Sequence, residues 1–367
     1  DDSGAFKFTN NVVEYCTKEF ITSTRLNQKP VISGNTFKHI KMETGTLISF
    51  GHSMTSIDLV NNTFTNITSA KGSYGGGIAS LFRHQTSSTK VTLKFEQCNF
   101  YDIKNVNDAS PYNIGGAFQY GGDQSLFNTE IIFNNCEFKR NSCMNGKGGA
   151  LGINIKYNLT ITDCIFEDNQ GSAEGGAIFI SRPSSEASNI NIKHCIFKGN
   201  KGSDGSAIFV DETNTASLKL TVSDCSFENN GELISTFMIV CKCGELFFES
   251  NNFEFSDKTK TSGAIQSVNP TKVTITDSNF TNCIVDAAAT VLLQGQGQTA
   301  STTITNCKFI ECKASSYSIK ISGGTSEVDS ITVSFESTSF ACGAIDFGNR
   351  GFICQNSFFI HTNALGS

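Results

Sequence analysis

Two neighbouring segments of the chain share one sequence pattern. Residues 163–180 read DCIFEDNQGSAEGGAIFI, and residues 194–210 read HCIFKGNKGSDGSAIFV. Both contain a Cys, a Phe two positions later, an Asn three positions after that, and a glycine-rich run before an apolar segment. Repetition at a fixed period is the signature of stacked repeat architectures, so this feature limits the fold more than any other.

The Phe of this motif serves as an anchor for the whole chain. It recurs twelve times, most gaps between copies are 26–31 residues, and Cys, Asn, Ser or Thr lies two positions before each copy. An apolar residue lies five positions before every anchor and, in most copies, another lies seven before it. The anchors are Phe37, Phe64, Phe100, Phe138, Phe166, Phe197, Phe227, Phe253, Phe280, Phe309, Phe340 and Phe358.

Strand periodicity explains this spacing. Positions −7 and −5 share one face of a strand, as do positions −2 and 0, and the change of parity between them requires a corner. Each repeat is therefore predicted to be a strand, a corner, a second strand, a turn and a third apolar stretch. Because such a unit buries its apolar face only against copies of itself, we predict an all-β fold, a parallel β-helix solenoid of about twelve coils.

Alternative repeat folds fit less well. A β-propeller blade needs about 40–50 residues and four strands, and the Leu/Asn consensus of leucine-rich repeats is absent. Residues 31–367 are interpreted as one solenoid. Residues 1–30 fit the register poorly and are interpreted as an N-terminal cap or an irregular first coil.

Glycines and asparagines have separate predicted roles in the repeat. The glycine pair is expected to supply positive φ or close backbone approach where the chain re-enters the stack. The Asn three residues after the anchor is expected to end the strand in the left-handed conformation that Asn tolerates, and to bond the neighbouring turn. The anchor Phe rings are expected to stack as an aromatic ladder.

Composition limits the partners and the compartment. The net charge is −6 with no Lys/Arg run, so no nucleic-acid partner is expected. The longest apolar run, at 233–241, is too short to span a bilayer, so no transmembrane segment is expected. The 14 Cys, a start without Met and four N-x-[ST] sequons favour a secreted, extracellular or cell-surface product or a fragment of one. The N-glycosylation candidates are Asn61, Asn66, Asn158 and Asn279.

The cysteines leave two possibilities open. Five of them occupy the −2 position of consecutive repeats, as either a reduced buried ladder or a column with some axial disulfides. Cys283 and Cys312 replace the motif Asn in adjacent coils and are the best disulfide candidates. The pair Cys241 and Cys243 lacks the further ligands of a metal site. The five are Cys98, Cys136, Cys164, Cys195 and Cys225.

Enzymatic chemistry has one weak candidate. Asp163, His194 and Asp224 occupy the same outward corner of consecutive repeats, where other repeats place varied polar residues. Enzymes with this fold acting on polysaccharides need carboxylates grouped on one face. We interpret the three as a mixed polar corner, and we assign no catalytic residue, metal site or cofactor.

The glycine-rich motif and the Phe-x-x-Asn motif together resemble the repeats of the chlamydial polymorphic membrane proteins, which also occur in protist surface proteins. The resemblance is clearest over residues 98–230, in motifs such as Gly175-Gly176-Ala177-Ile178 and Phe166…Asn169. It implies a right-handed parallel β-helix of the pectin-lyase-like type that acts as a surface adhesin.

These observations favour a non-enzymatic extracellular or cell-surface rod that acts in adhesion or as a structural or filament component. The alternative is a polysaccharide-active β-helix enzyme, a lyase or a glycoside hydrolase. The expected partners are a surface receptor, a glycan or like subunits in a homo-oligomer or filament. The candidate contact surfaces are the long insertions around 68–90 and 105–128.

Overall fold

The computed structural model contains β-strands and turns, and no helix, in the part of the chain that it describes. That part comprises residues 6–18, 20–23, 30–43, 47–50, 56–69, 79–80, 91–106, 114–120, 129–154, 158–182, 188–212, 218–231, 237–242, 244–256, 262–285, 289–295, 301–314, 316–322, 327–336, 338–340, 343–346, 352–354, 358–360 and 363–364.

The strands form three sheets. Sheet 1 has 26 strands: Lys7–Thr9, Val12–Glu14, Val31–Ser33, Thr36–Lys41, Ser56–Val60, Thr63–Thr68, Val91–Glu96, Asn99–Asn105, Thr129–Asn134, Glu137–Lys139, Ser142–Cys143, Asn158–Thr162, Ile165–Glu167, Gln170–Gly171, Ser188–Lys193, Ile196–Lys198, Leu218–Ser223, Ser226–Glu228, Glu245–Glu249, Asn252–Glu254, Lys272–Thr276, Asn279–Thr281, Ser301–Ile310, Glu327–Glu336, Phe352–Cys354 and Phe358–Ile360. Sheet 2 has 12 strands: Ile21–Ser23, Ile48–Phe50, Ala79–Ser80, Phe118–Tyr120, Leu151–Asn154, Ile178–Arg182, Ile208–Glu212, Phe237–Lys242, Gly263–Val268, Val291–Gln294, Tyr317–Ser322 and Gly343–Asp346. Sheet 3 has four short strands: Ile284–Val285, Lys313–Ala314, Ser339–Phe340 and Asn363–Ala364.

The strands stack one repeat apart. In sheet 1, Phe138 pairs with Phe166 and Phe166 with Phe197, and in sheet 2, Ile178 pairs with Ile208, all in parallel register. The predicted parallel β-helix is confirmed, because successive repeats add paired parallel strands to sheet 1 and one strand each to sheet 2.

The number of regular coils is smaller than expected. Before Val91 the strand of sheet 2, Ala79–Ser80, has only two residues. After Ser322 the strand Glu327–Glu336 pairs with its neighbour through two register shifts. Between Val91 and Ser322 the solenoid has about eight regular turns. The expected count of about twelve coils was therefore too high for the regular part of the solenoid.

The core is an aromatic stack, as predicted. From Phe37 to Phe309 the anchor rings follow one another with centroid separations of 4.6–5.2 Å. These rings lie fully inside the coil, with apolar residues of positions −7 and −5 around them, such as Leu159 and Ile161. Stacked rings of this kind add to the stabilisation that comes from burying their area.

The last two anchors were assigned wrongly. Phe335, not Phe340, stacks on Phe309 at 5.0 Å, and the backbone of Phe335 pairs with Phe359 rather than Phe358. The strand Glu327–Glu336 continues past the point where other coils turn, so its register shifts. Because of this shift, the anchor position is occupied by Phe335, which the spacing rule had assigned to the position five residues before the anchor.

The N-terminal residues already form a coil. The strands Lys7–Thr9, Val12–Glu14 and Ile21–Ser23 pair in parallel with the strands of the following repeat. Val13 pairs with Phe37 and so occupies the anchor position, which explains why a search for Phe missed this repeat. The predicted boundary near residue 30 falls between these two stacked coils, and the division of the chain at this point stays a prediction.

Regular coils turn their corners in the left-handed backbone conformation at two positions, although the coil of Phe253 does so only at the first, Ser250. The first lies three residues before the anchor, as at Asp163 (φ 54°), and the second lies two residues after it, as at Asp168 (φ 53°). Asn, Asp and His adopt this conformation more readily than other non-glycine residues. The expectation for the motif Asn was wrong in this detail: Asn169 follows the left-handed residue and points into the core, fully buried.

Buried polar side chains link the coils behind both corners. Asn169 donates from Nδ2 to the Phe138 carbonyl at 2.9 Å, and its Oδ1 accepts from the backbone N–H of Asn141 at 3.1 Å. Cys195, behind the first corner, donates from Sγ to the carbonyls of Lys193 and Ile161 at 3.2 and 3.6 Å. These bonds satisfy buried backbone groups that the turns remove from the sheets.

The glycine pair has two separate roles. Gly175 has a φ of +71°, which a residue with a side chain adopts only with strain. A Cβ on Gly176 would lie 2.0 Å from the carbonyl oxygen of Ser206 in the next coil. Both roles that were predicted for these glycines, positive φ and close approach, therefore occur, one at each position.

Candidate functional site

The first corner of three consecutive coils forms a charged cluster on the surface. We call Asp163, Lys193, His194 and Asp224 the corner cluster. His194 Nδ1 lies 3.5 Å from Asp163 Oδ1, and His194 Nε2 lies 3.6 Å from Asp224 Oδ2. Lys193 Nζ lies 3.8 Å from the same oxygen of Asp224. The structure thus brings together the three residues that the sequence placed in one outward column.

Solvent exposure limits the energy of the corner cluster. The His194 and Asp163 side chains are 52% and 57% exposed. Exposed ion pairs contribute little to stability, typically below about 1 kcal/mol. Chemically, the cluster offers an imidazole between two carboxylates, an arrangement able to bind a polar ligand.

A second cluster was not recognised from the sequence. We call Tyr101, Asp102, Glu137, Lys139 and Arg140 the ion-pair cluster. The Arg140 guanidinium makes two hydrogen bonds to the Asp102 carboxylate, at 2.8 and 2.9 Å, and the Tyr101 hydroxyl donates to Glu137 Oε2. Lys139 Nζ lies 3.1 Å from the same oxygen of Glu137. Opposite charges at matched positions of consecutive repeats were the signal that would have found this cluster.

These contacts shift the titration of their members. The hydrogen bond from Arg140 holds the pKa of Asp102 below its ordinary value, and the hydrogen bond from Tyr101 does the same to the pKa of Glu137. Partial burial and the bond to Glu137 raise the pKa of Tyr101. The cluster therefore keeps both carboxylates ionised and the phenol protonated at neutral pH.

Other outward side chains also pair along the rod axis. Lys38 Nζ lies 2.7 Å from Glu14, and Lys198 Nζ lies 3.2 Å from Glu228, each between neighbouring coils. Lys139 also lies 3.5 Å from Glu167 in the next coil. The residues that directly follow the anchors of successive coils therefore form a column along the surface. In this column Lys and Glu alternate over four coils, at Lys139, Glu167, Lys198 and Glu228.

A surface depression lies beside the second corner. Its volume is about 280 Å³. Short strands and the turns that follow them form its walls, and Met144 is 55% exposed there. The lining residues are Lys104, Ser142, Cys143, Met144, Gln170 and Ser172. Sequence reasoning did not find this depression, because its walls come from three different repeats.

The sequon asparagines lie on the outside of the coil. Asn61 is an exposed left-handed corner residue, and Asn66, also exposed, bonds from Nδ2 to His39 Nδ1 at 2.9 Å. Asn158 begins a strand and accepts a hydrogen bond from Asn189, and Asn279 lies half-buried beside its anchor. Their glycosylation stays a prediction.

The candidate disulfide pair lies inside the coil. Cys283 and Cys312 are fully buried free thiols in adjacent coils, and the Cys312 thiol donates to the Phe280 carbonyl at 3.2 Å. A hydrogen bond to Cys312, together with burial, raises the pKa of Cys283. Their oxidation to a disulfide stays a prediction. The five-residue cysteine column likewise consists of buried free thiols in this structure.

Some sequence candidates lie outside the described residues. These include most of both insertions, residues 70–78, 81–90, 107–113 and 121–128, together with Cys243. Among the described residues, no group of three or more His, Cys, Asp or Glu side chains is placed to hold a metal ion. The described part of the chain likewise contains no helix of the length and hydrophobicity that a membrane crossing requires.

Comparison with known proteins supports the fold. Residues 85–253 match a family model described as a right handed beta helix region. No curated protein and no solved structure matches the chain. The matched residues include the corner cluster, the ion-pair cluster and the depression. The chain is thus a parallel β-helix that, over its central coils, is similar to the right-handed β-helix family.

Proposed function

We propose that this protein is a non-enzymatic extracellular or cell-surface rod that acts in adhesion or as a structural or filament component. The observation that carries the proposal is the unbroken stack of buried anchor rings from Phe37 to Phe309, which links each of these coils to the next. Buried amide hydrogen bonds add to it, and outward charges such as Lys198 and Glu228 pair along the same axis. These contacts between coils favour a stiff rod.

The adhesive role also rests on the resemblance of the repeats to those of the chlamydial polymorphic membrane proteins. A solenoid presents long polar faces for broad contacts, and repeat proteins use such extended surfaces for binding. The partner that we propose is a surface receptor or a glycan, with like subunits in the case of a filament. The proposed location is the cell surface or the extracellular space.

One observation favours the alternative, a polysaccharide-active enzyme. Asp163 and Asp224 flank His194 and are two coils apart, which corresponds to roughly 10 Å at the spacing of strands in a sheet. Inverting glycosidases place their two carboxyl groups about 6.5–9.5 Å apart. The corner cluster is the part of the described surface on which this alternative depends.

A paired assay separates the two functions. Fluorescently labelled protein is incubated with mammalian cells, and unlabelled protein is incubated with a panel of plant, bacterial and animal polysaccharides while reducing ends and unsaturated products are followed. The proposal expects saturable cell binding and no product. Product released by the wild type and lost in the double variant Asp163→Asn, Asp224→Asn would overturn it in favour of the enzyme.

The location is tested by mass. Protein purified from its native source is weighed intact, before and after reduction with alkylation and before and after glycosidase treatment. Glycans on sequons such as Asn61, with Cys283 linked to Cys312, are the expected result. Fourteen free thiols without glycan would place the protein in a reducing compartment and contradict the surface role.

A further inference from the structure

The surface depression is built by three consecutive coils. Lys104, Ser142 and Gln170 occupy the same position, four residues after their anchors, and form a column along its length. Neighbouring rungs of a sheet are about 4.8 Å apart, so the column presents three hydrogen-bonding side chains over roughly 10 Å. A length of roughly 10 Å accommodates one or two sugar rings.

Backbone bonds hold the wall of the depression in place. The N–H of Met144 donates to the Asn105 carbonyl at 2.9 Å, and that of Ser172 donates to the Cys143 carbonyl at 3.2 Å. The Ser172 hydroxyl bonds the Gly146 carbonyl at 3.3 Å. The turns around the depression are therefore fixed by contacts between coils, which lowers the entropic cost of ligand binding.

The lining combines apolar and polar groups. Met144 is one of six large apolar side chains that are exposed in the described part of the chain, and four of the other five belong to the first coil. Gln170 supplies an amide donor and acceptor, and Ser142 supplies a hydroxyl. A sugar ring, with one apolar C–H face and hydroxyls at its edge, is complementary to such a lining.

The lysines at the two ends of the column favour an acidic sugar over a neutral one. Lys104 is exposed at one end of the column, and Lys201, paired with Gln170 through an isolated β-bridge, continues the column at the other end. The nearest acidic side chain on the Lys104 strand, Asp102, is engaged by Arg140. An ammonium group at the end of a polar column favours a carboxylate on the ligand.

We propose that the depression binds a carboxylate-bearing sugar residue of a glycan, with Lys104 on the carboxylate, Gln170 and Ser142 on hydroxyls, and Met144 against the ring. The inference rests on the proposed adhesive function, for which it names the ligand class and the contact site.

The test uses two sugars that differ only in the group of interest. Ligand-observed NMR titrations of the full chain compare D-glucuronic acid with D-glucose, with acetate as a probe for non-specific carboxylate binding. A ligand of this size is expected to bind with a Kd of about 1 mM. Glucuronic acid is expected to bind at least about tenfold more tightly than glucose, since a hydrogen bond to a charged group contributes more than a neutral one.

Variants assign the roles. Lys104→Gln is expected to remove the preference for glucuronic acid over glucose, and Gln170→Ala is expected to weaken the binding of both sugars. Met144→Ser is expected to weaken the binding of both sugars without changing the preference for glucuronic acid over glucose. Lys308→Gln, which makes the same charge change on an exposed face of a distant coil, is the matched control. Equal binding of the two sugars, acetate binding as tight as glucuronic acid, or titrations unchanged by Lys104→Gln and Gln170→Ala would overturn the proposal.

The cell-binding assay separates this inference from the proposed function. If the wild type binds cells and Lys104→Gln binds them equally well, the depression is not the adhesive site, while the adhesive function stands. If glucuronic acid binds as expected but the wild type does not bind cells, the sugar site stands and the adhesive function fails.

Discussion

At most corners of the coil, one residue adopts a left-handed backbone and the next places a polar side chain inside; at the second corner of three early coils the inward residue is apolar instead, namely Ile40, Ile67 and Ile103. The polar inward residues are Asn, Cys, Ser or Thr, and they donate to a carbonyl of their own or the preceding coil, as Cys195 donates to Lys193 and Thr338 donates to Phe309. A thiol, an amide or a hydroxyl meets the same need, because each supplies a donor at a point where the backbone lacks a partner. This explains why the repeat tolerates different residues there.

The asparagine ladder predicts a large effect of one truncation. Asn169→Ala leaves the buried N–H of Asn141 and the carbonyl of Phe138 without their bonds at 3.1 and 2.9 Å. Each unsatisfied buried group costs about 1–3 kcal/mol, so a loss of about 3 kcal/mol or more is expected in urea unfolding. Asn191→Ala, on the exposed outer face, is the control and is expected to change the free energy of unfolding by less than about 0.5 kcal/mol. Equal losses in both variants would contradict a structural role for the ladder.

The cysteine column predicts a graded effect. Cys164 donates to the Thr162 carbonyl at 3.1 Å, and its sulfur accepts from the N–H of Cys136 at 3.4 Å. Cys164→Ser keeps a donor and an acceptor, as Ser278 does in the same position of a later coil. Cys164→Ala keeps neither and is expected to lower the free energy of unfolding by about 1–3 kcal/mol more than the Ser variant. If the Ala variant is as stable as the Ser variant, the thiol is only a space-filling group.

At the scale of strands, two kinds of axial contact hold neighbouring rungs together. Inside, the rings of Phe166 and Phe197 stack at 4.9 Å. Outside, Glu and Lys alternate on the same strands, as in Glu167 and Lys198. The inner contacts supply most of the stabilisation, because they remove large apolar area from water, whereas the outer pairs remain hydrated.

The ion-pair cluster predicts a dependence on acid. The pKa of Glu137 is lowered in the folded protein from its ordinary value of 4.5, and that of Asp102 from 3.8. Their stabilisation is therefore fully present above these values and is lost as the pH falls through the lower folded values. Urea midpoints at pH 7 and pH 3 are compared for the wild type, Glu137→Gln and, as a charge-matched control, Glu249→Gln.

Glu137→Gln is expected to be less stable than the wild type at pH 7 and to lose less on acidification. The control is expected to retain the full acid-dependent loss. The prediction fails if the difference between the two midpoints is the same in all three proteins.

For the whole molecule, the repeat predicts that a complete coil can be removed. Deleting residues 166–196 joins Ile165 to Phe197, which pair with Ile196 and Phe166 in the intact protein, so the register of every remaining strand is kept. In a solenoid each repeat contacts only its neighbours, so the shortened chain is expected to fold with a somewhat lower urea midpoint. Circular dichroism and size-exclusion chromatography measure this outcome.

Deleting residues 166–181, about half a coil, is the control. It brings unlike positions of the repeat into the same rung and is expected to give an aggregated or unfolded product, because a shift of register exposes the apolar face. A half-coil deletion that folds as well as the full-coil deletion would show that the coils are not the stacking unit.

The sequence alone determined the architecture, because the chemistry of stacking is local. The −5 and anchor positions of each repeat meet the same positions of the next, so one spacing rule gave the parallel coils, the buried Phe stack, the roles of Gly175 and Gly176, and the proximity of Asp163, His194 and Asp224. Where the backbone departs from the repeat, the rule failed, as at Phe340, where a register shift moved the anchor to Phe335.

Only the tertiary structure decided which side chains share a surface. The left-handed residue lies one position before Asn169, a detail of backbone geometry that residue preferences do not resolve. The hydrogen bonds of Arg140 to Asp102 join side chains that are 38 residues apart in the sequence. The depression beside Lys104 is formed by the turns of three coils. A period predicts which positions are stacked, whereas the direction of each outward side chain, and the partner that it reaches, follow from the path of the chain through the corners.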